Sequence, residues 1–438
     1  MLKRDEIAMP DYQKCYALIH KDAQYIAPCQ HAAQYPLVVE KAKGSIVWDL
    51  GGNRYIDFLS SASSLNIGSA HPAVTRAIQK QLRKTTQYTA AYTYNKPSAD
   101  YAQALALLYP GKIDVKVCFV HCGSDANDTA VKFARAYTGR KNILVFKNGY
   151  HGASYGSASL TSWRKDFYEQ IDPMLPGVLR MPFYASGQYD QSAEKLESEL
   201  RALADPETIA AVIMEPIQGE GGMLPADPVF MQQLFTLCKK HGILFFSEEV
   251  QQGFYRTGKF FSIEHYGIIP DGVIIGKSAG AGLPLGALIG KKEIMDALPP
   301  MANVFTLAAN QLACAAGLAQ LRYMQSACFQ KSLKQNIALS EDTLCFLQKK
   351  YPNAISFVRQ CGMSISIGLQ ACGRQTAEEC AAEIVSACHR KGLIILSLGN
   401  GILRIQPPLN IHTRDLKEGF RILEEAIDES EEGRTHAE

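Results

Sequence analysis

The chain has 438 residues, 47% of them hydrophobic and 20% charged, with 45 basic against 43 acidic side chains and a formal net charge of +2. That length exceeds what one hydrophobic core organises, so two lobes are expected. The near-neutral balance argues against a dedicated nucleic-acid or other polyanion binder, and no apolar run is long enough to span a membrane.

Met1 to Pro10 carries charges without an apolar stretch, so a secretory signal is not expected and the cytoplasm is the expected compartment. The 12 cysteines are scattered from Cys15 to Cys388 with no CxxC pair, a pattern of reduced thiols and not of a disulfide framework or metal knuckle.

In chain order, Trp48 to Asp57 holds Gly51-Gly52-Asn53 between β-prone residues and predicts a hairpin. Val115 to Val120 predicts a buried strand, followed by Gly123-Ser124-Asp125 and a helix through Ala130, Phe133, Ala134 and Tyr137 that stops at Gly139. Strands are expected at Ile143 to Phe146, Ile209 to Met214, Ile243 to Phe246 and Val273 to Ile275, with a helix from Pro228 to Lys240. From Gln311 the pattern is mostly helical, with strands near Ser364 to Ile367 and Leu403 to Gln406. The acidic tail from Asp428 is expected to be a fraying helix end. Strands alternating with helices imply an α/β fold with a mainly parallel sheet.

Ligands of such sheets bind beyond the carboxyl ends of the strands. Here those ends carry Gly123-Ser124-Asp125, Glu215, Glu248 and Lys277. Small residues opening a helix let its free N–H groups approach a phosphate. A lysine at a buried strand end is costly unless paired or consumed, and a Schiff base with pyridoxal 5′-phosphate (PLP) consumes it. Glu248 and Val250, two apart on a strand, are expected on one face, where the carboxylate suits a protonated pyridine nitrogen and the valine packs on the ring. Glu249 is expected to be paired on the opposite side. Tyr150-His151 offers an aromatic platform.

The segment EEVQQGFYRTGKFFSIEHYGIIPDGVIIGKSAGAGLPLG (Glu248 to Gly286) resembles the signature of class-III aminotransferases, fold-type I PLP enzymes. GSDANDTAVKFARAYTGR, GYHG, EPIQGEGG and the C-terminal ILR extend the similarity over most of the chain. The resemblance implies a large PLP-binding domain at 66–305, with a smaller α+β domain from 1–65 and 306–438. It implies that Lys277 holds PLP, that Gly123, Ser124 and Asp125 form the phosphate end, and that Tyr150, His151 and Val250 surround the ring. By the same resemblance Glu248 meets the ring nitrogen and Gln251 the phenolic oxygen. Thr306 binds the phosphate of a neighbouring subunit's cofactor, so a homodimer or dimer of dimers is expected. Arg404 takes the substrate carboxylate, with Glu220 as its switchable partner. The small-molecule partners are an amino acid or amine and a keto acid.

Five positions depart from the family pattern. Glu248 replaces the usual Asp. His121-Cys122 replaces Asn-Ser. Gln311 replaces a Pro. Ala153 stands where enzymes of ω-amino acids carry an arginine. The segments SSASSLNIG, GSDAND, HGASYGS and GNGILRIQPPL also resemble the isoleucine 2-epimerase and amino-acid racemase branch, which tends to have Asp at the position of Glu220. Transamination and 2-epimerisation both stay open, as does a catalytically weak regulatory or scaffold protein of the same fold.

Overall fold

The computed structural model describes residues 12–164, 166 and 168–435. Contacts divide the chain into two units. One comprises the described residues up to Ser61, Ile67–His71 and the chain from Lys331; the other comprises Ala62–Asn66 and Pro72–Gln330. Residues 306–330 therefore go with the larger unit and not with the C-terminal lobe. The reason is local: helix Gln311–Met324 packs on helices Pro72–Leu82 and Lys96–Ala106. Among the described residues no helix is long and apolar enough to cross a membrane.

The larger unit is built on a seven-stranded sheet. Its strands are β1 (Val115–Val120), β2 (Asn142–Phe146), β3 (Val178–Met181), β4 (Ile209–Met214), β5 (Leu244–Glu248), β6 (Gly272–Ile275) and β7 (Gly286–Lys291). The spatial order is β1-β7-β6-β5-β4-β2-β3. Strand β7 runs antiparallel to both neighbours, and the other pairings are parallel. The α/β expectation with a mainly parallel sheet holds. Every residue of β4 (IAAVIM) is buried, the apolar run without alternation that a sheet covered on both faces requires.

Helix α1 (Gly123–Thr138) lies against β6 and β7 with Ala126, Ala130, Val131, Phe133 and Ala134 buried. Its small residues allow the close approach. It ends as its sequence implies, at Gly139 in the left-handed region with φ 69°. Helix α2 (Pro228–Lys240) starts at Asp227, whose carboxylate accepts from the backbone N–H of Val229 and Phe230.

The smaller unit holds the expected hairpin. Strands Ile46–Asp49 and Arg54–Asp57 pair antiparallel, and the Asp49 carboxylate accepts from Asn53 N and Nδ2 at 2.9 and 2.8 Å. Strands Ser364–Leu369 and Ile402–Ile405 pair in a second sheet. The C-terminal helix runs Thr413–Thr435, so the acidic stretch from Asp428 continues as helix, and the first residue of that stretch is tied to the rest of the unit. Tyr351 Oη donates to Asp428 Oδ1, and Lys350 Nζ lies 3.4 Å from Oδ2. Polar tethers replace the apolar periodicity that the tail lacks.

Asp271 fastens the base of the sheet. It is 3% exposed, and its carboxylate accepts from Lys239 Nζ at 2.7 and 2.8 Å, Lys291 Nζ at 2.7 Å and Phe245 N at 2.9 Å. Replacing Asp271 by Ala leaves that buried N–H without its acceptor and two ammonium groups without their partner. A loss of about 2 kcal/mol is expected, read as a lower urea midpoint at unchanged slope.

Candidate active site

The carboxyl ends of β1, β2, β4, β5 and β6 open onto one cavity of about 380 Å³ inside the larger unit. Its lining includes Lys277, Glu248, Glu215, Tyr150, Val250 and Gly123. Parallel strands bring these chain-distant residues together because all of them follow strand C-termini.

Lys277 starts the short helical turn Lys277–Gly280 directly after β6 and has φ 45°, an uncommon conformation for a residue with a side chain. The turn is clamped by Tyr101 Oη on Ala279 O at 2.7 Å and by Gln320 Nε2 on Ser278 O at 2.6 Å. Such strain persists where the surroundings over-determine it.

Glu248 ends β5 and is 4% exposed. Its Oε1 accepts from Val250 N at 3.0 Å. The nearest ring nitrogen, His151 Nδ1, stands 4.0 Å from Oε2. Burial holds the Glu248 carboxyl well above the usual carboxylate range, raised further by Glu215 and opposed by the charge of Lys277. Val250 lines the cavity as expected, but not through a shared strand face. The strand ends at Glu248, and Val250 sits in the turn that follows. Glu249 points elsewhere as anticipated, accepting from Ser247 Oγ, Ser262 N, Ser262 Oγ and Ile263 N within 2.7–2.9 Å.

The loop after β2 is locked from three sides. Tyr150 N donates to Glu215 Oε1 at 2.9 Å, His151 N to Thr161 Oγ1 at 2.9 Å, and Asn127 Nδ2 to His151 O at 2.8 Å. The Tyr150 ring stands edge-on to Trp163, and burial with nearby Tyr168 and Glu220 pushes its hydroxyl up to about 12. Burial depresses His151 to about 3, so its imidazole is neutral at physiological pH. Gln251 Nε2 donates to Glu220 Oε1 at 3.2 Å, and both line the cavity.

The opening of α1 is closely packed around two glycines, Gly123 and Gly152. A Cβ on Gly123 would lie 2.6 Å from Val250 Cγ1. Gly152 has φ 134°, and a Cβ there would lie 2.2 Å from Ser124 Oγ. Ser124 Oγ itself accepts from Ala153 N at 3.2 Å.

Asp125 and Thr306 are not among the lining residues. The Asp125 carboxylate turns to His121, accepting from its N at 3.3 Å and meeting Nδ1 at 3.1 Å. Thr306 lies in the loop before helix Gln311–Met324, where its carbonyl accepts from Gln87 Nε2 at 3.4 Å. Arg404 belongs to the smaller unit, where its Nε donates to Gln406 Oε1 at 2.9 Å. Sequence reasoning noticed Glu215 as a strand end without a role. In the structure its two oxygens tie Tyr150 N and Gly219 N, and burial pushes its carboxyl up to about 7. The Glu215-Pro216 step after a fully apolar strand was the available signal.

The pattern described as "Aminotransferase class-III" matches residues 28–427. The chain belongs to the class-III aminotransferase family. An isoleucine 2-epimerase from Lentilactobacillus buchneri is 35% identical and covers 97% of each chain. A 5-aminovalerate aminotransferase from Pseudomonas aeruginosa is 37% identical over 90% of this chain and 94% of its own. Among solved structures, an ornithine aminotransferase from Toxoplasma gondii superposes with a TM-score of 0.85 at 26% identity, covering 96% of each chain. The fold is that of the fold-type I PLP enzymes, and the family's cofactor is PLP.

The class-III cavity fits that cofactor on its own chemistry. The free N–H groups at the Gly123 start of a 16-residue helix suit a phosphate. Glu248 is a buried carboxyl that only one backbone N–H reaches among the described residues, so a further N–H donor such as a pyridinium satisfies it. Replacing Gly152 by Ala sets a methyl group against Ser124 in a disfavoured backbone conformation. PLP affinity is expected to fall at least about tenfold, a loss of about 1.4 kcal/mol, in a fluorescence titration.

Proposed function

We propose that the chain transfers amino groups between neutral α-amino acids and keto acids, with Lys277 as both the PLP-holding residue and the proton carrier. One observation carries this: Lys277 is the only lysine lining the cavity among the described residues, in the same cavity as the buried Glu248 carboxyl. Bound PLP supplies the aldehyde that takes the substrate amine and the ring that takes up the electron pair left at Cα. With PLP bound, Lys277 Nζ, displaced by the substrate amine, would remove the Cα proton and return it on the same face to the former aldehyde carbon, C4′, and not to Cα. Glu248 holds the ring nitrogen as its N–H form. Gly123, Ser124 and the backbone of Asp125 seat the phosphate; the Asp125 carboxylate, engaged with His121, contributes no contact of its own. Tyr150, His151 and Val250 enclose the ring, and Gln251 reaches its phenolic oxygen.

The substrate carboxylate is assigned to Arg404, with Glu220 as the switchable partner. Ala153 follows Gly152 at the position where the family's ω-amino-acid enzymes carry an arginine for the distal carboxylate, which favours neutral side chains. Thr306 is assigned to the phosphate of a neighbouring subunit, which makes the active unit a homodimer or dimer of dimers in the cytoplasm.

A second reading, 2-epimerisation of the same amino acids, is favoured by the epimerase relative that matches at 97% of both chains. It needs a second acid on the face opposite Lys277. Glu220 lines the same cavity and is the carboxyl available for that role.

Reduction of the holoenzyme with borohydride followed by peptide mapping is expected to place the pyridoxyl label on Lys277, and Lys277→Ala to lose both label and turnover. A label on another lysine would falsify the anchor.

A panel of neutral L-amino acids with a keto-acid acceptor in deuterated water separates the two reactions. Keto acid is expected to form faster than Cα inverts, and 4-aminobutyrate to turn over at least about tenfold more slowly by kcat/KM, or about 1.4 kcal/mol in transition-state binding. Inversion without keto acid establishes the epimerase reading instead.

A further inference from the structure

Along the cavity wall, three buried titratable side chains from separate elements meet. His151, Glu215 and Glu248 are 4%, 6% and 4% exposed, and one polar atom from each lies within 4.8 Å of the other two. Backbone N–H groups hold the two carboxyls, and two side chains hold the main chain of His151. Glu215 is held by Tyr150 N and Gly219 N, Glu248 by Val250 N, and His151 by Thr161 Oγ1 and Asn127 Nδ2. What the backbone leaves over is His151 Nδ1, buried without a hydrogen-bond partner and 4.0 Å from Glu248 Oε2.

Two carboxyls this close in low dielectric cannot both be charged, and they titrate as a pair. The charged groups facing them are Lys277, which favours ionisation of both, Glu220 near Glu215 and Glu249 near Glu248, which oppose it, and Arg180 near His151. Burial leaves Glu215 at about 7 and Glu248 well above its usual range, and keeps His151 neutral down to about 3. The Lys277 charge and the protonated carboxyls also make the cluster a poor seat for a divalent cation.

We propose that Glu215, His151 and Glu248 form one proton-sharing unit, in which seating PLP places the negative charge on Glu248 and keeps a proton on Glu215, with His151 as the positioning residue between them. This rests on the reading that Glu248 faces the ring nitrogen. Without PLP, the closeness of the two carboxyls disfavours a negative charge on both, and below its own value Glu215 holds its proton. On loading, Glu248 gives up its proton, to the ring nitrogen if that arrives bare and otherwise to solvent. Above that value Glu215 is already ionised. The proton then passes from Glu248 to Glu215, and net release to solvent falls by up to one proton.

The test is calorimetric titration of the cofactor-free full chain with PLP, in two buffers of different ionisation enthalpy, across roughly pH 6 to 8. The wild type is expected to show a step of up to one proton near pH 7, the value to which burial lifts Glu215. Glu215→Gln should bind PLP without that step; the free cofactor's own titration is common to both and cancels. His151→Asn should displace the step in pH and weaken PLP binding about tenfold, whereas a merely structural histidine would lower stability and leave the proton count alone. Equal profiles in wild type and Glu215→Gln overturn the proposal. Should Glu215→Gln not fold, an unmoved step in His151→Asn overturns it. Absence of any binding heat in the wild type sinks the cofactor reading itself, a result distinct from binding without a step.

Discussion

A buried carboxyl with a single backbone donor sets the terms for the rest of this site. Glu248 sits buried at the end of β5, and burial makes its ionisation unfavourable unless a positive N–H donor faces it. Lys277, at the end of the adjacent parallel strand β6, provides part of the opposing field. The remaining attraction is reserved for a ligand. Under the proposed reading, a cationic heterocycle would meet Glu248, and the Gly123 opening of α1 at the same sheet edge would seat its anionic group.

The surroundings hold that arrangement rigid. Lys277 adopts a left-handed backbone conformation that the flanking sequence alone would not sustain. Tyr101 and Gln320, on two helices remote in sequence, bind the carbonyls of its turn. The Tyr150–Gly152 loop is held by Glu215, Thr161 and Asn127, again from three different places in the chain. Groups that must act on a substrate atom within fractions of an ångström gain from being fixed before it arrives. The charged Asp271 anchor performs the same service at the opposite end of β5 and β6.

Much of the sheet was legible from local pattern. The run Ile209–Met214 states its burial directly, whereas Val115–Val120, expected to be buried, is a strand with only Val120 buried and Lys116 exposed; Asp227-Pro228 and Gly139 mark helix ends through backbone chemistry that needs no tertiary partner. Less legible were features that depend on where a strand stops. Glu248 and Val250 reach the same cavity, yet the chain leaves the strand between them, so the two-residue period gave a correct neighbour for an incorrect reason. The C-terminal helix end lacked apolar periodicity, and polar ties to Tyr351 and Lys350 hold it instead. Those ties join residues more than seventy positions apart and leave no local signal.

The sequence by itself determined the chemistry on offer: a lysine after an apolar strand, an acid at another strand end, a small-residue helix opening and the family motifs around them. Those are properties of short segments, set by side-chain type and backbone propensity. Only the tertiary structure decided that Glu215 and His151 join Glu248 in one buried cluster, that Asp125 turns to His121 instead of the cavity, and that residues 306–330 pack with the larger unit. The reason is that desolvation and charge coupling depend on what lies within a few ångströms in space, and strand order, which brings β4 beside β5, is not written in any one segment.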